Sequence, residues 1–398
     1  MKQFLSIAQK TALLSLSALA ASVPASAQYF PLFGGQSTVF LPGNLVVSRS
    51  VYDNNANNVK IGTALPGCAV PADGCVPTTG APYNGSYPTV FNNDLYDASF
   101  GITSRIYLDQ ITPFGWLLSS LEVPNSLQHN VKSSSNQLVT SFSSKSELAL
   151  NLSTDGRLLT FMGYVAPVDA IDVSNSNTPG AVDPTNPVGE NVYRAVATVD
   201  RKGQFTFTET NAYSGNNGRA AILNNTDGAK VIYTAGNAGN GANPQPSGVV
   251  LGAGTQYILP TSAAESFQTP STPAPLASFS VTELGDKADK IGKDDNFRGL
   301  TVFNDVVYLT KGSGSNGVNT VYFVDTTGTA CPKGVGVPAV GAKLPVSPLT
   351  YDPTKLAASG LPSNMCILSG FPTVPAKTAN PVAAPFGLWF ANADTLCG

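Results

Sequence analysis

Two stretches decide how this chain reads: ELALNLSTDGRLLTFMGY, Glu147 to Tyr164, and RAAILNNTDGAKVIYTAG, Arg219 to Gly236. Each is an alternating apolar run, an Asp-Gly turn and a second alternating run. The pairs Asp155-Gly156 and Asp227-Gly228 lie 72 positions apart. A tight hairpin turn needs positive φ at its centre, which Asp, Asn and Gly tolerate best. A third copy is RGLTVFNDVVYLTKG, Arg298 to Gly312, and FGLWFANADTLCG, Phe386 to Gly398, reads as a fourth. An internal repeat of this size has to be read before any fold is assigned.

Further strand candidates follow each unit. After the first come Val192–Val199, the turn Asp200-Arg201-Lys202-Gly203, and Gln204–Thr208. After the second come Val249–Ile258 and Ala277–Thr282, and after the third Thr320–Val324 and Cys366–Leu368. Upstream, Leu45–Val51, Arg105–Leu108, Trp116–Val123 and Leu138–Phe142 also alternate. The strand Leu388–Ala391 opens the fourth unit. The one short helical candidate past the N-terminus is Asp286–Ile291. Four antiparallel strands per unit, repeated radially, is the plan of a β-propeller blade. The expected fold is therefore all-β, a propeller of four-stranded antiparallel blades. An irregular first unit spans Gly43–Val123. With it, about four blades are present and a fifth is begun, an incomplete ring. A sandwich leaves the recurring hairpin unexplained, and a β-helix needs shorter, more even repeats. Long loops rich in Gly, Pro, Ser and Asn are expected at 54–93, 167–190, 237–248, 261–275 and 327–363.

Composition agrees. Charged residues make up 12% of the 398, against roughly a quarter in an average soluble protein. There are 38 glycines and 30 prolines. That excludes long-helix and coiled-coil classes. A formal charge of −3 argues against a nucleic-acid binder, which needs a basic excess. Hydrophobic residues at 42% supply a core and argue against disorder.

Residues 1–27 read as a secretory signal peptide: Lys2 and Lys10, the apolar run Thr11–Ala21, and the cleavage motif Ala25-Ser26-Ala27. The run is too short to span a bilayer. The expected location is periplasmic or secreted, with one domain over 28–398. Five cysteines suit an oxidising compartment. Cys68 and Cys75 bracket a short loop, CAVPADGC, and can close it. Cys331 and Cys366 can staple the base of the 327–363 excursion. Four cysteines allow three pairings, and the sequence does not choose among them. Cys397 is left over. Zinc is a weaker reading, since there is no C-x-x-C pair and His129 is the only histidine.

The runs LTKGSGSNGVNTVYFVDTTG (Leu309–Gly328), LPSNMCILSGFP (Leu361–Pro372) and PFGLWFANADTL (Pro385–Leu396) resemble a group of bacterial exported proteins predicted to be β-propellers. The resemblance covers Gly43 to Leu396 and is most specific toward the C-terminus. It implies a fold and carries over no catalytic residue, because no activity is assigned to that group. After the equivalent of Leu396, members continue through a Tyr-Val-Ala-Asp-type strand and more blades. This chain has Cys397-Gly398, the pattern expected of a truncation.

Candidate site residues are few. Lys293-Asp294-Asp295-Asn296-Phe297-Arg298 is the densest charged cluster and leads into a repeat unit. Asp294 and Asp295 could hold Ca²⁺ or serve acid–base chemistry. The competing reading is a solvated loop of local Asp turns. Glu147, Arg219 and Arg298 occupy equivalent positions before the first strand of successive units. In a propeller they gather around one axis, as inter-blade ion pairs or as a ligand-binding ring. Asp155, Asp227 and Asp305 recur in turns, which argues for turn geometry. Tyr164, Tyr233, Tyr308, Phe303 and Trp389 recur on strands and read as packing between blades. His129 lies in a polar loop, with no G-x-S-x-G nucleophile in the chain. The functional expectation is a binding or scaffold module for a protein, glycan or small-molecule ligand, with no resident cofactor. A lactonase-like metal-assisted hydrolase and a cell-surface adhesion module are the alternatives.

Overall fold

The structure is a computed structural model. It describes residues 40–51, 64–69, 76–82, 103–125, 138–141, 148–168, 194–210, 212–213, 217–237, 255–260, 277–278, 282–283, 287–288, 297–312, 317–331, 334–346, 365–375, 385, 387–388 and 390. Every regular element among them is a β-strand. The signal-peptide segment, His129, Trp389 and Cys397 lie outside the described residues.

Three successive four-stranded meanders form the body. The first runs β7 (Asn151–Leu152), β8 (Leu159–Val165), β9 (Arg194–Val199) and β10 (Phe205–Thr210). The second runs β11 (Gly218–Asn224), β12 (Val231–Gly236), β13 (Thr255–Ile258) and β14 (Ala277–Ser278). The third runs β17 (Phe297–Phe303), β18 (Val306–Lys311), β19 (Val321–Val324) and β21 (Met365–Leu368). All neighbours in these meanders are antiparallel. Each opens on one of the repeated hairpins. Ahead of them, β4 (Thr103–Ile111) pairs with β1 (Leu45–Val51) on one side and β5 (Leu117–Glu122) on the other. β6 (Leu138–Ser141) links β4 to β8.

The sheets pack face to face, and strand alternation explains how. Phe161 and Val165 of β8 point toward Ile106 and Leu108 of β4. Met162, on the opposite face of β8, packs with Ala221, Leu223 and Ile232. The other faces of β11 and β12, carrying Ala220, Ile222, Val231 and Tyr233, meet Leu300, Val307, Leu309 and Tyr322 of the third meander. Its far face places Tyr308, Phe323 and Cys366 against Leu388 and Phe390. Both faces of an inner sheet are thus apolar, and β9, β11 and β12 are buried at every residue. Few positions are left for charge, consistent with the composition.

The repeated turns are not identical. In Thr226-Asp227-Gly228-Ala229 the Ala229 N–H donates to Thr226 O at 2.8 Å, and Asp227 and Gly228 have φ of 51° and 78°. Asn304 and Asp305, at 46° and 59°, make the same mirror-image turn. In the first unit only Gly156 is left-handed, at 69°. There the Gly156 N–H donates to Ser153 O, and Asp155 accepts from Ser153 Oγ and Arg157 N–H instead of occupying positive φ.

Several expectations need correction. The 54–93 segment contains a hairpin, β2 (Ala64–Ala69) with β3 (Val76–Pro82). The 327–363 segment contributes β20 (Val335–Gly336), which runs parallel to β21. The helical candidate at Asp286–Ile291 contains instead β16 (Lys287–Ala288), paired with β15 (Thr282–Glu283). That pairing also separates Thr282 from Ala277–Ser278, so the expected single strand is two. Leu388 and Phe390 are not in a strand. They pack as side chains on the third meander, with the Phe390 ring centroid 4.4 Å from that of Tyr308 and 5.1 Å from that of Phe303.

Candidate functional site

The strand register sorts the polar residues onto two ends of the stack. The repeated turns lie at one end. At the other end β8 finishes, β11 and β17 begin, and β18 finishes. Tyr164 pairs with Arg194, Gly218 with Gly236, and Phe297 with Lys311. This rim gathers four buried cations: Arg194, Arg219, Arg298 and Lys311.

Each has a neutral partner in the same or the next sheet. The Arg194 guanidinium lies over the Tyr164 ring, 5.2 Å from its centroid. Such stacking suits the weakly hydrated guanidinium. The Tyr164 hydroxyl donates to Asn217 Oδ1 at 2.6 Å, tying the first meander to the second. Arg219 Nη1 donates to Phe297 O at 3.2 Å, tying the second to the third. Arg298 Nε donates to Gly312 O at 3.3 Å, and Lys311 Nζ to Asn319 Oδ1 at 3.3 Å. Close backbone approach makes this end compact. A Cβ on Gly236 would collide with the Asn217 carbonyl and reach within 2.8 Å of the Tyr213 ring. Tyr213 itself shares a hydrogen bond of 2.8 Å with Thr234. Burial pushes the Tyr213 phenol well above its ordinary range, so it stays a neutral hydrogen-bonding group.

Of the sequence-derived candidates, Arg219 and Arg298 come together here, because Phe297, the acceptor of the Arg219 bond, precedes Arg298. Glu147, Asp294 and Asp295 lie outside the described residues. Arg194 and Lys311 were not singled out from the sequence. They sit on later strands, and only the pairings Tyr164↔Arg194 and Phe297↔Lys311 bring them to the rim. The position of Lys311 at the end of a repeat unit was the available signal.

A second cluster of chemical interest lies away from the rim. Asp325, Cys331 and Cys366 place one carboxylate oxygen and both sulfurs within 4.8 Å of one another. The sulfurs are joined in a disulfide, with Cα atoms 5.7 Å apart. Asp325 Oδ1 accepts from Thr327 N–H at 2.8 Å, Thr327 Oγ1 at 2.6 Å and Gly328 N–H at 3.2 Å. Oδ2 accepts from Ala330 N–H at 2.9 Å. Burial alone would raise this carboxyl, but those donors outweigh it and hold the group below its usual range. The arrangement is a folded staple: the loop 325–331 is wound on Asp325 and bolted to β21. Of the two expected staples this one is present, while Cys75 lies outside the described residues.

The comparisons with known proteins come back empty. No protein-family model, curated protein or solved structure matches the chain. The rim and the staple therefore rest on their own geometry.

Proposed function

We propose that this chain is an exported β-propeller that works as a binding or scaffold module with no chemistry of its own. The observation that carries the reading is the face-to-face stack, in which alternate side chains of each hairpin serve opposite interfaces. A radial array of blades has that property, and so does an arc of one. The rim of Arg194, Arg219, Arg298 and Lys311 is the place where a ligand would meet several blades at once. Its side chains are suited to holding: fixed cations, a stacked tyrosine and two asparagines. A protein, glycan or small-molecule ligand remains the expected partner class. Asp294 and Asp295, three and two residues before Phe297, are acids joined to this rim by the chain.

One experiment separates a binder from an enzyme. The purified protein is screened by thermal shift against glycans and small anionic and neutral metabolites. It is assayed in parallel on lactone, ester and phosphate-ester substrates, with and without Ca²⁺. The expected result is saturable stabilisation by a ligand without turnover. Turnover that vanishes in Asp294→Ala or Asp295→Ala would overturn the proposal in favour of a hydrolase.

A further inference from the structure

The most exposed aromatic side chains among the described residues stand together, at the tip of the β4–β5 hairpin. Phe114 is 89% exposed and Trp116 73%. Leu41, Leu45, Leu117 and Leu118 are exposed beside them, since β1 pairs Leu45 with Ile111 and β5 pairs Leu117 with the same residue. Isolated exposed apolar residues need no explanation, but a contiguous group does.

We propose that this tip is a peripheral membrane anchor, which seats Phe114 and Trp116 in the headgroup–acyl boundary of a lipid bilayer. Shape, backbone and charge each bear on the choice of partner. The tip is convex: a Cβ added to Gly115 would meet nothing within 4 Å, so the turn stands clear of the body. Three of the tip's backbone N–H groups are bonded within the turn. Thr112 N–H donates to Trp116 O at 2.8 Å, Gly115 N–H to Thr112 O at 2.9 Å, and Trp116 N–H to Thr112 Oγ1 at 3.0 Å. Each donor closed within the turn lowers the cost of seating it at a bilayer boundary, which penalises those left open.

The charges complete the match. No charged residue occurs between Asp109 and Glu122. Asp109 is bound by Arg49 at 2.5 Å, and Glu122 lies 3.9 Å from Arg105. A patch without net charge complements a zwitterionic surface, which has none. Trp and Phe are side-chain types suited to that boundary. The contact proposed is a surface anchor; among the described residues no helix is long and apolar enough to cross a membrane.

The test uses the full chain and phosphatidylcholine vesicles, by co-sedimentation and by tryptophan emission. The chain has two tryptophans, so a Trp389→Phe background isolates Trp116. The expected result is vesicle binding with a blue-shifted Trp116 emission, unchanged at about 0.5 M salt because no ion pairing is involved. Phe114→Ser with Trp116→Ser should weaken binding by about tenfold or more, since each loses its buried ring. The melting temperature should not move, because both side chains are already solvent-exposed. Failure to co-sediment would overturn the proposal. So would binding confined to anionic vesicles and lost in salt. A dimer that the same double substitution abolishes would assign the patch to a second copy, and would overturn it too.

Discussion

Thr154 and Thr226 stand 72 positions apart, the interval that separates the two Asp-Gly turns, and their hydroxyl oxygens meet at 3.3 Å. Equivalent residues of successive repeats are therefore neighbours in space. The contact belongs to a small network. Thr154 Oγ1 donates to Asn224 Oδ1 at 3.0 Å and accepts from Asn225 N–H at 3.0 Å, while Thr226 Oγ1 also donates to Asn224 Oδ1 at 3.0 Å. A backbone bond from Thr154 N–H to Leu223 O, at 2.9 Å, runs alongside. One turn thus caps the next, in the polar layer above the apolar interface.

That network predicts a measurable coupling. Thr154→Val removes a donor and an acceptor from partly buried partners and should cost about 1–2 kcal/mol in urea denaturation. Thr226→Val should cost less, because its turn keeps the Ala229–Thr226 backbone bond. Both hydroxyls serve Asn224, so the double substitution should cost less than the two singles together. Strict additivity would show that the turns do not communicate.

A second prediction concerns the rim. At Gly236 any side chain meets backbone, the Asn217 carbonyl, and the ring of Tyr213. Gly236→Ala must therefore move one meander's end and should destabilise by about 1–3 kcal/mol, the usual cost of overpacking. The same alteration should loosen the Tyr213–Thr234 hydrogen bond, which tyrosine fluorescence or amide exchange would report. A melting temperature equal to that of the unaltered protein would show the close approach to be relaxed in solution.

How much of this was legible beforehand depends on what each residue had to signal. Tyr164, Tyr233 and Tyr308 announced themselves as packing residues through alternation and repetition, and all three are buried. The hairpins were legible because Asp-Gly and Asn-Asp are demanded by turn geometry. The hairpin β2–β3 was not: ALPGCA and VPTTGAP carry Pro and Gly within the strands and do not alternate, so backbone pairing alone defines them. β20 was hidden for the same reason, a two-residue strand set by its neighbour Ile367. At the rim, Arg219 and Arg298 were visible through the repeat. Arg194 and Lys311 were not, because their positions depend on register across long connections.

The Cys331–Cys366 bridge closes a loop of sequence separation 35. In the chain-entropy view such a loop is worth about 3–4 kcal/mol. Cys366 is fully buried between Tyr308, Phe323 and Leu388 while Cys331 is half-buried, so a reductant should reach the bond at the Cys331 sulfur. Reduction under mild denaturant, or Cys331→Ser with Cys366→Ser, should lower the urea midpoint accordingly. The Phe390–Tyr308 contact should loosen with it, because both belong to the same cluster. An unchanged midpoint would mean that apolar packing alone holds this layer.

Asp325 predicts how that layer responds to acid. Its carboxyl is buried, which by itself raises its pKa, yet Thr327, Ala330 and Gly328 together hold it below the ordinary value. A group depressed in the folded state contributes stability that is fully present above its unfolded pKa, near 4 on the scale of about 3.9 for Asp. That contribution is lost as pH falls from there through the lower folded value. Stability should therefore be flat through neutral pH and decline below about pH 4. Asp109, held low by Arg49 and Ser120 against its own burial, adds to the same acid limb. Asp325→Asn keeps one acceptor oxygen and turns an amide N–H toward donors. It should cost about 1–3 kcal/mol at neutral pH and flatten the acid limb without abolishing it. Because Ala330 N–H is one of the lost donors and Cys331 follows it, the variant's disulfide should also become easier to reduce. If Asp325→Asn left the neutral-pH stability and the acid limb as they were, the loop 325–331 would be held by the disulfide alone.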